Sequence, residues 1–462
     1  MAAPESVLIV GAGVFGLGTA YGLAQRPEFR NSKITVLERT EFPAQDGASI
    51  DSSRIIRADY EDLPYAQLMT EAMPAWRGEW GAEARYSESG LCLIAKDDPA
   101  TDGAENFLKG ALRNVTESLG LKLGKREQGG EIEVFDDEAG ARKIMGATGG
   151  LVGRAGYVNW TSGWAHAENG IKYMRKKIEK LDRVHFVTAE VKHLIFSNDE
   201  VKGVKLTNGK TLTADLTVLA TGAWTPKLID LRGIASATGQ ILAYCDISKE
   251  EEERLSAPGQ PVILCESDGL FIIPPRDRVL KVARHGYGYA NPVKIPHPEK
   301  PESGETITVS LPKTKLDDPD MDIPPEGFTV LRAFLRKCIP SLGERPFTYS
   351  RICWYTDTPE GDWLITYHPK YKNLFVATGG SGHAYKFLPT IGERIVDVIQ
   401  QKDRDELGAT LRGRWSWPKR RLHDHVWTND WRGEGVKGMI LEEEYKKGGN
   451  KVDRVQALVS KL

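Results

Sequence analysis

The sequence predicts a two-domain chain, α/β plus α+β in class: a discontinuous Rossmann-like dinucleotide-binding domain and a second domain built on an antiparallel sheet. Three observations predict it. Gly11, Gly13 and Gly16 stand in the G-x-G-x-x-G spacing between an apolar run, Val7 to Val10, and a helix-like segment from Leu17 to Ala24. A second run, Lys33 to Leu37, ends in Glu38, about 20 residues beyond the last glycine, where a carboxylate accepts hydrogen bonds from a ribose. Two late apolar runs, Leu216 to Ala220 and Leu374 to Thr378, each stop at a small-residue turn, as strands returning beside the first one would.

Val7 to Val10 carries no polar residue and suits a strand buried on both faces. Gly11 allows the tight turn out of it. Gly13 lets backbone N–H groups approach a pyrophosphate at the helix N-terminus, with Val14 and Phe15 in the same turn, and Gly16 lets helix and strand pack closely. Arg39 to Asp51 is polar, contains Pro43 and Gly47, and reads as an extended loop over a cofactor, with Arg39 and Ser53 as contacts near its ends. Arg54 and Arg57 stand three apart, which on a helix or tight turn projects both to similar sides. Residues 65–81 form an amphipathic helix with Tyr65, Leu68, Met69 and Trp76 inward.

Tyr86 to Ala95 reads as a strand pair, 104–149 as helices on the second domain, Gly156 to Trp164 as an aromatic loop and Ala165 to Leu181 as a helix. Val184 to Val191 is a strand whose last residue faces the cofactor, and Asn208-Gly209 turns a hairpin between 201–206 and 210–212. Thr221 and Gly222 form the small turn after Leu216 to Ala220, where the backbone comes close to the cofactor. Residues 238–345 change character. Strand-like Ile241 to Asp246, Val262 to Cys265, Leu270 to Pro274 and Val279 to His285, with Pro-rich connections at 292–301, predict the antiparallel sheet, and Phe328 to Cys338 a helix. Thr348 to Thr356 is a further strand; after Leu374 to Thr378 come a second glycine-rich loop, Gly379 to Lys386, and a helix through Gln400. This places 1–89, 150–234 and 346–402 in the dinucleotide domain and 90–149 with 235–345 in the substrate domain. The remainder, 403–462, is a charged extension carrying Trp415, Trp417, Trp427 and Trp431 that wraps the body rather than forming a core.

The totals exclude several classes. The chain has 462 residues, 40% hydrophobic and 27% charged, as in soluble globular proteins. A net charge of −2 leaves no electrostatic footprint for nucleic acid, and no apolar run is long enough to span a membrane. The start lacks a secretory pattern, and the five cysteines fit neither a disulfide framework nor a zinc site, so a reducing compartment and no metal are expected. Ser460-Lys461-Leu462 reads as a peroxisomal address, with the import receptor as its partner.

The residues able to do chemistry come late. Cys353 lies in Arg351-Ile-Cys-Trp-Tyr-Thr-Asp-Thr-Pro359. In Val279 to His285, strand alternation puts Lys281, Ala283 and His285 on one face. Arg54, Arg57 and Lys386 are cations from distant segments, the last within Gly382-His-Ala-Tyr-Lys-Phe-Leu-Pro389. With Val7 to Gly16, Glu38 and His368-Pro369, these segments cover about residues 5–400. Together they resemble the monomeric sarcosine oxidase family of flavoenzymes, which includes pipecolate, saccharopine and fructosyl amino acid oxidases.

The resemblance implies that the first domain binds FAD and that Cys353 forms a thioether to the flavin 8α carbon. It implies Lys281 as the oxygen-activating cation, His285 as an active-site histidine and Arg54 as a tuner of flavin charge. Arg57 and Lys386 would hold the substrate carboxylate. Gly382, His383 and Lys386 join Gly11, Gly13, Val14, Phe15, Gly16, Glu38, Arg39, Ser53, Arg54, Val191, Thr221, Gly222 and Cys353 around the cofactor. The implied reaction oxidises a secondary amino acid such as L-saccharopine, L-pipecolate or an N-methyl amino acid to an imine that hydrolyses, while O₂ becomes H₂O₂. Ser53-Arg-Ile-Ile-Arg57 and Ala283-Arg284 depart from the fructosyl amino acid oxidase (amadoriase) pattern, and Leu270 stands where sarcosine oxidases carry a tyrosine, which points to a larger or more apolar substrate. The alternatives are an amadoriase or secondary-metabolite amine oxidase of the same family, an FAD dehydrogenase with another electron acceptor, and an NAD-binding or redox-sensing protein without turnover.

Overall fold

The computed structural model describes residues 3–96, 102–286, 288–419 and 439–447. Ser6–Val10 is the centre of a six-stranded sheet in the order Leu364–Tyr367, Leu374–Thr378, Leu216–Leu219, Ser6–Val10, Lys33–Glu38, Val184–Thr188. All pairs are parallel except the edge strand Leu364–Tyr367. Strands from three distant parts of the chain therefore assemble one dinucleotide-binding sheet. The first strand leads through Gly11 and Gly13 into the helix Val14–Gln25, which packs on the helix Ile391–Gln400. Gly16 is obligatory for that join: a Cβ there would stand 1.8 Å from the carbonyl oxygen of Gly11.

The second sheet has eight strands: Tyr349–Asp357, Ser236–Asp246, Val279–Arg284, Leu270–Arg276, Val262–Cys265, Leu91–Ala95, Ala155–Asn159, Ile132–Phe135. It is not wholly antiparallel as expected, because Val262–Cys265 and Leu91–Ala95 pair in parallel at its middle. The expected aromatic loop at 156–164 is instead the strand Ala155–Asn159 and the short strand Gly163–Ala165. Gly156 misled the reading, since it sits in that strand because a Cβ would meet Leu93 O at 2.0 Å. Ala155–Asn159 and Tyr349–Asp357 thus belong to the second sheet, although both fall in segments assigned to the dinucleotide domain. The proline-rich stretch holds a strand, Pro292–Pro296, paired with Thr306–Ser310, its prolines sitting at the strand ends.

A small three-stranded sheet, Arg54–Ile56, Gly163–Ala165, Tyr86–Ser87, pins Arg54 beside the larger sheets. The extension contributes to the interior, against expectation. Leu411 and Trp415 are buried in the core around Val7, Ile9 and Trp363, and Leu441 enters the core of the second sheet. Trp415 stacks on Trp363 and its indole N–H donates to Tyr65 Oη at 3.1 Å. Trp427, Trp431 and Ser460-Lys461-Leu462 lie outside the described residues. No helix among the described residues is long and apolar enough to cross a membrane. Trp415→Ala is expected to cost about 3–5 kcal/mol, read as a lower urea midpoint at unchanged slope; an unchanged midpoint would show that the extension only lies on the surface.

Candidate active site

A long cleft runs along the carboxyl ends of the six-stranded sheet, where ligands of such sheets bind. Gly11, Gly13, Val14, Phe15, Glu38, Arg39, Val191, Thr221 and Gly222 all line it, as expected. Glu38 accepts from the backbone N–H of Ala12 at 2.9 Å and of Arg39 at 2.8 Å, and burial pushes its carboxyl up against those donors. Arg39 lies over the Trp224 ring at 4.2 Å. The helix Val14–Gln25 has no side-chain cap and no acid in its first turn, which leaves its N-terminus suited to a pyrophosphate. Gly16 contributes packing rather than lining. At its far end the cleft reaches Arg54, Tyr355, Thr356 and Gly382. Thr356 Oγ1 is buried there without a hydrogen-bond partner, a polar atom waiting for a ligand.

Beyond that end lies a smaller cavity of about 70 Å³, shared by Ser53, Arg54, Arg57, Lys281, His285, Cys353, Gly382, His383 and Lys386. Strand alternation holds: Lys281, Ala283 and His285 face this cavity while Leu280 and Val282 enter the core behind the sheet. The rest of the wall mixes apolar Ile55, Leu264, Phe271 and Ile273 with Gln240, Arg284, Tyr355 and Tyr385.

Two sets of buried charge meet here. Asp51 is fully enclosed and accepts from Lys281 Nζ at 2.6 Å, Tyr244 Oη at 2.5 Å, and Arg54. Burial disfavours its charge, but Lys281, Arg54 and Arg351 outweigh that and hold it well below the usual carboxylate range. Burial lowers Lys281 to about 8, against the pull of Asp51. Arg54 Nη2 stands 3.5 Å from Cys353 Sγ, placing a cation beside the thiol. Lys281 also donates to Ser53 O at 3.1 Å, so Ser53 acts through its backbone.

The second set is Arg57 and Lys386. Arg57 lies over the Tyr60 ring at 4.9 Å, and its Nη1 is buried with no hydrogen-bond partner. Lys386 is buried, and burial together with Arg57 drives it well below the ordinary lysine range. Arg54 and Arg57 both line this cavity, but from a strand rather than a helix or tight turn, and with different partners. Arg54–Ile56 is a strand, so residues three apart diverge, and Arg54 turns to Asp51 while Arg57 turns to Tyr60. Leu270 is also displaced: it packs into the core behind the sheet, and its neighbour Phe271 takes the cavity face. Sequence reasoning missed Asp51, Asp59 and Tyr60. Asp59 is buried and accepts from Tyr157 Oη, Asn159 Nδ2 and Ser162 Oγ at 2.9–3.1 Å, which fixes the segment carrying Arg57 and Tyr60. The only signal available was their position beside Arg54 and Arg57.

The model of the FAD dependent oxidoreductase family matches residues 6–398. The chain belongs to that family. It is similar to the amino acid oxidase imqH of Aspergillus flavus, 32% identical over 90% of this chain and 98% of that protein. It is also similar to the L-saccharopine oxidase of Schizosaccharomyces pombe, 28% identical over 89% and 93%, and more distantly to peroxisomal and monomeric sarcosine oxidases. Among solved structures it resembles Amadoriase II, the fructosamine oxidase of Aspergillus fumigatus, with a TM-score of 0.72 and 27% identity over 93% of this chain and 99% of that one. The fructosyl peptide oxidase of E. terrenum shares the fold with a TM-score of 0.81 over 96% and 97%, at 23% identity. The chain is thus an FAD-dependent oxidoreductase of the amino acid and amine oxidase group. The cleft fits that cofactor: a carboxylate at the ribose end, an uncapped helix in the middle and the unpaired Thr356 hydroxyl at the far end.

Asp51→Asn leaves Lys281 and Arg54 buried without their counter-ion and is expected to cost about 3–5 kcal/mol at pH 7 in urea unfolding. Because Asp51 titrates lower in the folded protein than unfolded, its contribution is full above about pH 4 and is lost as pH falls further. The difference between the two proteins should therefore shrink in acid; a difference that grew in acid would contradict the pairing.

Proposed function

We propose that the protein oxidises a secondary amine bearing a carboxylate, with FAD attached through Cys353 and O₂ as the acceptor, giving an imine that hydrolyses and H₂O₂. The observation that carries this reading is the pair Arg57, with its Nη1 buried and unpartnered, and the buried Lys386, neither in an ion pair among the described residues, in the cavity that also holds Cys353 and Lys281. FAD, when bound, supplies the hydride acceptor and the electron relay to O₂. The chain's residues do the rest. The planar fork of Arg57 takes the substrate carboxylate and Lys386 supports it. Ile55, Leu264, Phe271 and Ile273 exclude water from the reacting carbon and strengthen each charge contact. Lys281, kept charged by Asp51, offers a fixed cation to the negative charge that develops on O₂. Arg54 sets its guanidinium beside Cys353 Sγ, the sulfur that would form the flavin thioether.

The walls also bear on the substrate. A compact cavity suits L-pipecolate or an N-methyl amino acid better than L-saccharopine, whose further carboxylates would need cations that Asp51 and Glu326 already engage. No carboxylate lines the described wall to bind a sugar's hydroxyls, in keeping with the Ala283-Arg284 departure from amadoriases.

A peroxide-release screen across L-pipecolate, N-methyl amino acids, L-saccharopine and fructosyl amino acids tests the reading, with the first two expected to be active; activity on the fructosyl controls alone would overturn it. Protein denatured in acid should keep its yellow colour, and complete loss of flavin would refute attachment at Cys353. Lys281→Met should slow reoxidation by O₂ about 100-fold while anaerobic flavin reduction changes little. Equal reoxidation in both proteins would instead favour a dehydrogenase with another acceptor.

A further inference from the structure

An amino acid in neutral water is a zwitterion. A protonated nitrogen has no lone pair to assist loss of hydride from the adjacent carbon, so a proton must leave the amine after it enters the cavity. The hydrogen bonds around Lys386 show where it can go.

Lys386 Nζ lies 2.8 Å from Tyr60 Oη and donates to His383 O at 3.0 Å. Tyr60 Oη lies 3.1 Å from His383 Nδ1. On the other side of the imidazole, Nε2 lies 3.1 Å from Trp363 Nε1 and 2.9 Å from Gly361 O. An indole N–H only donates and a carbonyl only accepts, whereas a neutral imidazole carries one N–H. His383 is neutral, since burial, reinforced by Lys386, lowers it to about 3. Nε2 therefore satisfies Trp363 or Gly361, never both.

Each choice sets the direction of the whole chain. When Trp363 donates to Nε2, Nδ1–H donates to Tyr60 Oη, and the tyrosine proton points to Nζ, which accepts it only as a neutral amine. When Nε2–H donates to Gly361 O, Nδ1 accepts from Tyr60, and Tyr60 Oη accepts from Lys386 as an ammonium. The two imidazole tautomers thus match the two charge states of Lys386. The charged and titratable groups facing Lys386 are Arg57, Asp59 and Tyr60 from the segment after Arg54–Ile56, and His383 on its own loop. Burial and Arg57 favour the neutral amine. Asp59 opposes them, but its charge is already shared with Tyr157, Asn159 and Ser162.

We propose that Lys386 is the base that takes the ammonium proton of the docking amino acid, with Tyr60 and His383 O holding Nζ in place; this rests on the carboxylate-bearing amine proposed above. The step is a proton transfer alone. An N–H bond of the substrate ammonium breaks, one forms at Nζ, and no electrons change hands. A zwitterion and a neutral lysine become a neutral amine and a lysinium, and the lysinium then pairs with the substrate's own carboxylate. The site thus creates its second carboxylate-binding cation only when a substrate arrives. Hydride loss leaves the nitrogen as an iminium, and Lys386 returns its proton to solvent as the carboxylate departs.

Cyclohexanecarboxylate, which has the carboxylate and ring but no amine proton, separates this from a permanently charged Lys386. In calorimetric titration of the flavin-loaded full chain at pH 8, in two buffers of different ionisation enthalpy, its binding should take up close to one proton per site from solvent. Lys386→Arg, always charged, should bind it with no uptake. In anaerobic flavin reduction by L-pipecolate, the wild type should vary little between pH 7 and 9. The arginine variant should lose about tenfold per pH unit below the substrate's ammonium pKa, because only the scarce neutral amine reacts. Binding without proton uptake in the wild type would overturn the assignment of Lys386 while leaving the carboxylate site intact. No binding of the carboxylate would overturn both.

Discussion

Cations meet around one small cavity, and only some of them have a counter-ion. Lys281, Arg54 and Arg351 share Asp51, whereas Arg57 and Lys386 face the cavity with no carboxylate ion pair among the described residues. Leaving a buried cation unpaired costs several kcal/mol, so the fold must offset it by other means. Arg57 rests on the Tyr60 ring, worth about 1–2 kcal/mol when desolvated. At Lys386 burial and Arg57 disfavour the ammonium and hold the group well below the ordinary lysine range. Asp59, held by three donors, anchors the segment that carries both Arg57 and Tyr60. The result is a site in which Arg57 stands ready for an anion before one arrives, which favours a substrate that carries a carboxylate.

The two sheets supply the two halves of the chemistry. The parallel sheet, through Gly11 to Phe15 and Glu38, lines the end of the cleft where the nucleotide of FAD would lie. The larger sheet brings Lys281 and Cys353 together, because Val279–Arg284 and Tyr349–Asp357 both pair with Ser236–Asp246. The short strand Arg54–Ile56 and the loop at 379–386 close the cavity from the dinucleotide side. Residues some 300 apart in sequence therefore act at one point, and the strands rather than the loops fix most of their positions.

The parts legible in the sequence were those with a short period or a dense motif. The strand–glycine–helix unit, the hairpin at Asn208-Gly209 and the common face of Lys281 and His285 all follow from local pattern. Long-range pairing was not legible: nothing in Leu91–Ala95 or Val262–Cys265 announces that they lie parallel. Glycine in a strand concealed Ala155–Asn159. The exchange of Leu270 for Phe271 shows how a one-residue shift reverses a strand's faces. Asp51, Asp59 and Tyr60 escaped because their roles arise from what folds around them, and a single acidic or aromatic residue carries no spacing to read.

The central claim is that Arg57 and Lys386 receive a carboxylate beside a flavin held at Cys353. A crystal structure of the flavin-loaded protein with cyclohexanecarboxylate bound tests it most directly. The account predicts both carboxylate oxygens within about 3 Å of Arg57 and Lys386 nitrogens, the ring against Phe271 and Ile273, and continuous density from Cys353 Sγ to the flavin. A carboxylate seated elsewhere, with Arg57 Nη1 still unpartnered, would contradict it.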